Sequence, residues 1–406
     1  MPDSSTVDQS DKSSLIEKAR NLMEEYNVDA EAVNVWLRTQ KHGPTQLPWF
    51  TDPHGDTSPI EATVGHEAAN RMKPVPHRWA WKDVSPFVDK MSGLAEEVGI
   101  GPIEVADRQS VMFLNPGLNG RIATTNTIRV AVSVYNPCDD AGAHVHSPNA
   151  SRTILSANGG YTTIDGERCD ATRGDVILTP NGAWHHHGND GSTPVVWLDT
   201  LDWPLIEYLD STWIDKDYVG ADGNSQYQHP TTASADYSAR MYGHGGILPT
   251  LEKHDRGFST GLSPMLHYKG SDILAALYGL RDETGDPYEG IRVDLVNPVT
   301  GGPVFPTLNY SAQMIRSDES TNLKRETASS YFIVMDGSGY SEVGSQRFEW
   351  SRNDVVCIPG FTWRRHVNTS DDGAILYSVS DSALMKSIHQ YRAQGVDGDG
   401  RVVDLG

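Results

Sequence analysis

One segment of this chain occurs twice. The run "GGYTTIDGERCDATRGDVILTPNGAWHHHGNDGS", beginning at Gly159, can be laid without a gap on "SGYSEVGSQRFEWSRNDVVCIPGFTWRRHVNTSDD", beginning at Ser338, at a constant offset of 179. Gly160, Tyr161, Asp175, Val176, Pro180, Trp184 and Asn189 meet Gly339, Tyr340, Asp354, Val355, Pro359, Trp363 and Asn368. A period this long is not that of a solenoid, so it predicts two duplicated domains, each with a core of its own. The chain's 406 residues suffice for both.

Around the repeat the texture is β-like. Short runs such as "VMFL", "IRVAVSVY", "YTTID", "DVILTP" and "PVVWLDTLDW" alternate with Gly, Asn, Asp and Pro at intervals of about ten residues, the pattern of a sandwich or barrel. The fold class is therefore mainly β. Ahead of it, 14–38 carries apolar residues at three- and four-residue intervals and is predicted helical, and "PHRWAWKDVSPFVDKMSGLAEEVG" reads as a loop entering a short helix. The map that follows has a flexible tail (1–13), a helical and loop extension (14–100), a first β domain (101–236), a helix-containing connecting segment (237–298), a second β domain (299–395) and a tail (396–406).

Composition removes several function classes. The formal net charge of -21 repels phosphate backbones and anionic lipid, so no nucleic acid and no membrane partner is expected; it reads as a well-solvated acidic surface or an adaptation to high salt. No apolar run is long enough to span a bilayer, and the polar start "MPDSSTVDQSDKSS" lacks a signal core, which points to the cytoplasm. Cys138, Cys169 and Cys357 are odd in number and show no CxxC spacing, so they are expected to be buried thiols without a role.

The chemistry concentrates in the first copy. In "AHVHSPNASR", His144 and His146 are two apart, which on a strand turns both side chains to one face. Alone, such a pair reads as two satisfied histidines. About forty residues on, "GDVILTPNGAWHHHGN" adds three more. Alternation divides that triple: if His185 points inward so does His187, and His186 is left for packing or the surface. Three imidazoles from two neighbouring strands, His144, His146 and His185, can hold one metal and leave its far face open, with His187 one step further along the same face, placed to support the ligands or to meet a substrate.

These segments resemble the two motifs of the cupin superfamily, HxH followed by Gly-x5-Pro-x-Gly-x2-His-x3-Asn, and the second is matched in full from Gly174 to Asn189. The acidic ligand that cupins usually carry shortly after HxH is missing from "SPNASR", leaving three neutral ligands and a dicationic centre suited to a chelating dianion. Further stretches, "PHRWAW", "NPGL", "HVHSPNASR", "TTIDGER", "WHHHGND", "VVWLDTLDWPL" and "NPVTGGPVFPTL", are similar to the bicupin ring-cleaving dioxygenases that act on gentisate, salicylate and 1-hydroxy-2-naphthoate. The resemblance implies a bicupin of two double-stranded β-helix (jelly-roll) barrels with an N-terminal helical extension, and a homotetramer. It implies one Fe(II) per chain in the N-terminal barrel, O2 as co-substrate, and cleavage of an aromatic ring between the carboxyl-bearing carbon and its hydroxyl-bearing neighbour.

The same resemblance assigns Arg152 to the substrate carboxylate, His187 to hydrogen bonding and proton movement, and Arg108 to the pocket wall. Asp199 of "WLDTLD" would orient a histidine or arginine, or cap a strand end. Two positions depart from the family: an aromatic of the pocket falls on Arg129 and a glutamine on Ser133, so the substrate is expected to be bulkier or more anionic, unless a register shift turns Arg129 outward. In the second copy Lys324, Glu326 and Arg364 stand where His144, His146 and His185 stand in the first, and no metal is expected there. Two rival readings keep the metal site: isomerase or lyase chemistry, and non-catalytic binding of a metal or small ligand.

Overall fold

The computed structural model describes residues 9–31, 33–40, 72–98, 108–156, 159–250 and 262–406. Helix α1 (Gln9–Glu31) starts inside the segment read as a tail and stops short of the predicted end. Asn34 takes a left-handed φ of 58°, which a helix cannot carry through, and "VWLRTQ" becomes strand β1 (Val35–Gln40) instead. Strand β2 (His77–Trp79) and helix α2 (Trp81–Val98) come next, the helix longer than the short one expected.

The first barrel is two facing sheets. Its strands are β3 (Arg108–Phe113), β4 (Arg129–Tyr135), β5 (Asp140–His146), β6 (Ala150–Ser156), β7 (Gly160–Ile164), β8 (Glu167–Asp170), β9 (Val176–Thr179), β10 (His185–Asn189) and β11 (Val195–Leu201). Helix α3 (Trp203–Tyr208), β12 (Ile214–Asp215), the hairpin β13 (Tyr218–Val219) and β14 (Ser225–Gln226), α4 (Tyr237–Tyr242) and β15 (His267–Tyr268) lead away from it. One sheet runs β1-β3-β4-β11-β6-β9-β15 and the other β12-β5-β10-β7-β8.

The second barrel repeats this plan. After α5 (Gly270–Gly279) come β16 (Ile291–Leu295), β17 (Asn309–Ile315), β18 (Lys324–Glu326), β19 (Ser330–Asp336), β20 (Ser338–Val343), β21 (Gln346–Ser351), β22 (Val355–Ile358), β23 (Arg364–Asn368) and β24 (Ala374–Ser380). Helix α6 (Ser382–Ser387) and strands β25 (Ala393–Val396) and β26 (Val402–Asp404) close the chain. Its sheets run β16-β17-β24-β19-β22-β2 and β21-β20-β23-β18-β25-β26. Strand β16 therefore pairs with the second barrel although it precedes residue 299, and the last residues, read as a tail, form a strand paired with β25. The two barrels exchange edges: β2, upstream of the first barrel, pairs with β22, while β15, upstream of the second, pairs with β9.

Strand parity sorts the side chains. On β4 the valines at 130, 132 and 134 enter the apolar core shared with α2 and with Tyr310, Tyr331 and Val379 of the second barrel. The odd positions of β4 face the other way, where Tyr135 joins Ile154, Ile177 and Trp197 inside the first barrel. The contact between barrels has near two-fold symmetry. Thr307 Oγ1 donates to Asp202 at 2.5 Å and Thr127 Oγ1 to Asp381 at 2.6 Å, and each aspartate also takes a backbone N–H, from Asn149 and Ser329 respectively, at 2.8 Å. Asp175 and Asp354 likewise each accept, at 2.7 Å, from the first backbone N–H of a helix, Gly270 of α5 and Trp81 of α2. Of the cysteines, Cys169 and Cys357 are buried as expected; Cys138 is exposed, on a turn where its φ is 68°. No described helix is long and apolar enough to cross a membrane.

Candidate metal centre and substrate pocket

Strands β5 and β10 lie side by side with His144 opposite His185 and a bulge between His185 and His187. The ring centroids of His144 and His185 are 4.2 Å apart; His146 lies 4.8 Å from His185 and 5.9 Å from His144. One nitrogen from each of His144, His185 and His187 falls within 4.8 Å of the others. All four rings are buried. Proximity alone therefore groups His187, and not the expected His146, with His144 and His185.

Hydrogen bonding separates them. The Nδ1 atoms of His144, His185 and His146 lie 2.9, 2.8 and 2.8 Å from the carbonyl oxygens of Gly142, Ala183 and Pro148. A carbonyl only accepts, so Nδ1 carries the proton and Nε2 keeps its lone pair in each of the three, the tautomer a metal ligand needs. His187 differs. Its Nε2 lies 2.7 Å from Arg152 Nη2, a group that can only donate, so that lone pair is taken, and Nδ1 meets Thr162 Oγ1 at 3.1 Å. His186 faces away from this cluster, buried against Tyr161, and burial followed by His229 and Arg168 lowers its pKa to about 4.

Behind His187 runs a buried polar chain. Arg152 on β6 also donates to Thr179 Oγ1 at 2.9 Å and pairs with Asp199 on β11 at 3.5 Å, the strand neighbour directly opposite. Asp199 thus lies in a buried ion pair with an arginine. Ser133 donates to Asp199 and meets Ser110 at 2.8 Å. The register of β4 against β11 puts Arg129, Ala131, Ser133 and Tyr135 on the interior face, so no shift turns Arg129 outward. Arg129 is 5% exposed, with its guanidinium 4.2 Å from the centre of the Trp203 ring. Arg108 opens β3, and its side chain lies outside the described residues. Thr162, Thr179, Tyr135 and Trp197 were not singled out in the sequence, though each sits at an inward strand position that parity could have given.

The second barrel fills the equivalent space with ions. Lys324 pairs with Arg364 across β18 and β23 as His144 pairs with His185. Glu289, from the loop before β16, meets Lys324 at 2.5 Å, Arg364 at 3.2 Å and Arg292 at 3.2 Å, and Arg364 meets Glu326 at 3.1 Å. Burial would raise the Glu289 carboxyl, but Arg364, Arg292 and Lys324 outweigh it and hold it well below the ordinary range. His366, the counterpart of His187, has Ser341 Oγ at 2.7 Å from its Nδ1; burial, then Arg364, pushes its pKa down to about 3. Phe332 packs on His366 where Arg152 meets His187.

Residues 131–201 match the cupin domain model. The chain is 32% identical to a 5-aminosalicylate 1,2-dioxygenase of Comamonas sp over 79% of its own length and 81% of that protein's. The chain belongs to the bicupin ring-cleaving dioxygenases. It is also 30% identical to a gentisate 1,2-dioxygenase of Ralstonia sp, over 79% of this chain and 85% of that one. Among solved structures, the salicylate 1,2-dioxygenase of Pseudaminobacter salicylatoxidans superposes with a TM-score of 0.69 at 27% identity, covering 80% of this chain and 89% of that one. The two barrels of this dioxygenase are accordingly its two cupins, and its reaction is the opening of an aromatic ring.

Proposed function

We propose that this dioxygenase holds one iron(II) on His144, His146 and His185 and uses O2 to open a hydroxylated aromatic carboxylic acid of the gentisate, salicylate or hydroxynaphthoate type. Cleavage falls between the carboxyl-bearing carbon and its hydroxyl-bearing neighbour. The observation that carries this reading is the shared tautomer of the three histidines: three buried rings with centroids 4.2 to 5.9 Å apart, each with its Nδ1 proton held by a backbone carbonyl and its Nε2 in the form that binds a metal. The relatives named for 5-aminosalicylate, gentisate and salicylate all act on a ring with adjacent carboxylate and hydroxyl, a chelating pair that suits a dicationic centre lacking an acidic ligand.

Iron(II), when bound, supplies the redox centre at which ring and O2 meet. The chain's own residues do the rest. Arg152, fixed by Thr179 and Asp199, takes the substrate carboxylate in charge-assisted hydrogen bonds. His187 gains a hydrogen bond to the substrate or to oxygen through Nε2 once Arg152 turns from that nitrogen to the substrate carboxylate, with Thr162 fixing its proton on Nδ1. Arg108 belongs to the pocket wall in the same reading, and Ser133 sets Asp199. Tyr135 and Trp197 close the apolar end of the barrel against water, their rings each 6.1 Å from His187. The second cupin carries no metal and serves packing and assembly into a homotetramer that works in the cytoplasm. Anaerobic loading with iron(II), followed by oxygen uptake on gentisate, salicylates and 1-hydroxy-2-naphthoate, tests the proposal. Uptake with at least one acid and a ring-opened oxo-dicarboxylate is the expected result; iron bound without uptake on any of them defeats it.

A further inference from the structure

We infer that Thr307 of the second cupin and Asp202 are positioning residues for the metal: through Asn149 they fix the two turns whose carbonyls aim His146 and His185. The inference rests on the proposed reading of those two histidines as ligands, and it gives the second cupin a direct part in the site. His146 ends β5 and His185 opens β10, and each ring is oriented by a backbone oxygen just outside its strand, Pro148 for the one and Ala183 for the other. Gly142, which holds His144, lies within β5. A turn carbonyl is not fixed by a sheet ladder, so its direction depends on what else braces the turn.

Asn149 is the brace. Its Oδ1 accepts from the backbone N–H of Asn181 at 3.0 Å, and the Asn181 amide donates back to the Ser147 carbonyl. Gly182 N–H donates to the carbonyl of His146 at 3.2 Å. The turns 147–149 and 180–184 are thereby one unit that contains both aiming carbonyls. Asn149 is held in turn by Asp202, whose carboxylate accepts its backbone N–H at 2.8 Å and its Nδ2 at 2.9 Å. Asp202 is buried, and across the interface Thr307 Oγ1 donates to it at 2.5 Å while standing 3.4 Å from Asn149 Nδ2. Loss of that hydroxyl leaves a buried carboxylate oxygen short of a donor, a deficit the turn must absorb by moving.

The second barrel shows the same lock without histidines at its end. There Thr127 donates to Asp381 at 2.6 Å, and Asp381 takes the backbone N–H of Ser329 at 2.8 Å. Ser329 stands at the place of Asn149, and its hydroxyl accepts from Gly360 N–H at 3.2 Å, so the corresponding turns are tied as well. They lead to Glu326 and Arg364, which hold each other as an ion pair at 3.1 Å and need no aimed lone pair. The two clamps make equivalent contacts between the barrels, but only the Thr307 clamp ends on imidazoles. The Thr127 clamp is therefore an internal control.

Cobalt(II) titration of the full-length, metal-stripped protein against a competing chelator tests this without turnover, reading affinity from the competition and ligand geometry from the visible spectrum of the ion. Thr307→Val is expected to weaken cobalt(II) binding by about tenfold or more, the scale of losing a partner behind a metal ligand, and to shift the spectrum. Thr307→Ser keeps the hydroxyl and should restore both. Thr127→Val removes the corresponding donor to Asp381 and should leave both at their wild-type values, even where it lowers the melting temperature as much. Asn149→Ser installs the residue of the second barrel and should weaken binding to a similar degree with Thr307 intact. Wild-type affinity and spectrum in Thr307→Val, or in Asn149→Ser should Thr307→Val fail to fold, overturns the inference. Equal weakening by Thr127→Val overturns it too, since the effect is then general destabilisation. If wild type binds cobalt(II) and Thr307→Val binds it equally well, only this inference falls; if wild type binds none, or His146→Ala binds it unchanged, the ligand reading falls with it.

Discussion

Arg152 Nη2 stands 2.7 Å from His187 Nε2, so the cation proposed to meet the substrate carboxylate and the imidazole proposed to move a proton form one hydrogen-bonded unit. Arg152→Lys keeps the charge and loses the planar fork, and should lower kcat/KM by about a hundredfold, near the 3 kcal/mol of a lost bidentate contact. Arg152→Met should in addition destabilise the fold by about 3–5 kcal/mol, because Asp199 is left as a buried, unpaired carboxylate. Steady-state kinetics with urea unfolding separate the two effects; a methionine variant as stable as the wild type would contradict the pairing.

The shared tautomer of His144, His146 and His185 suits them to a metal, and the Arg152 contact at Nε2 sets His187 apart. Replacing His144, His146 or His185 by Ala should each remove most bound iron, whereas His187→Gln should retain close to one equivalent and lose turnover. Elemental analysis of proteins purified in parallel decides it. Full metal content in His146→Ala, with loss in His187→Gln, would exchange the roles of these two histidines.

In the second barrel, Glu289→Gln removes the carboxylate on which Lys324, Arg364 and Arg292 converge. Breaking a buried pair from one side costs about 3–5 kcal/mol, so the melting temperature should fall by several degrees. Iron content per chain should not change. A variant with unaltered thermal stability would mean that the ion cluster is solvated and structurally idle.

His267 gives a pH signature. Its Nε2 meets Asp175 at 2.7 Å and its Nδ1 meets Asp236 at 3.0 Å. Burial would lower its pKa, but the hydrogen bonds to Asp175 and Asp236 outweigh it and raise it above the ordinary value of 6.5. The hydrogen bond from His267, helped by Lys269, holds Asp236 down at about 2. The raised histidine stabilises the fold fully below its unfolded pKa and loses that contribution as pH climbs through its folded value; the depressed aspartate contributes above its own unfolded pKa and loses it as pH falls toward 2. The stability gap between wild type and His267→Gln should therefore be widest between about pH 4 and pH 6.5 and narrow at alkaline pH. A gap that widens with rising pH would refute the charged clamp.

The sequence made the duplication legible because the turns that build a cupin sheet need Gly and Pro at fixed places, and Gly174 to Asn189 keeps all of them. Strand parity likewise separated His185 and His187 from His186, since a period of two is a local property. The facing of Arg129 could not be read from its own segment: it depends on the register of β4 against β11, which long-range pairing fixes. Glu289 escaped for a similar reason. It lies 35 residues before Lys324, in a loop with no motif, and only the closed barrel brings it to Arg364. The early end of α1 was missed because the competing strand is paid for by a partner, β3, far along the chain.

The exchanged edges set an order of completion during synthesis. Strand β2 leaves the ribosome early but finds its place only when Val355–Ile358 has been made, and the first barrel's own edge at β9 waits for His267 and Tyr268. The first half is not a finished unit when β11 emerges, and β2 has no partner until the second half is made. A nascent chain halted between the two cupins carries an open sheet edge and an unmatched strand at once, the pair of features that invites two such chains to trade strands with each other.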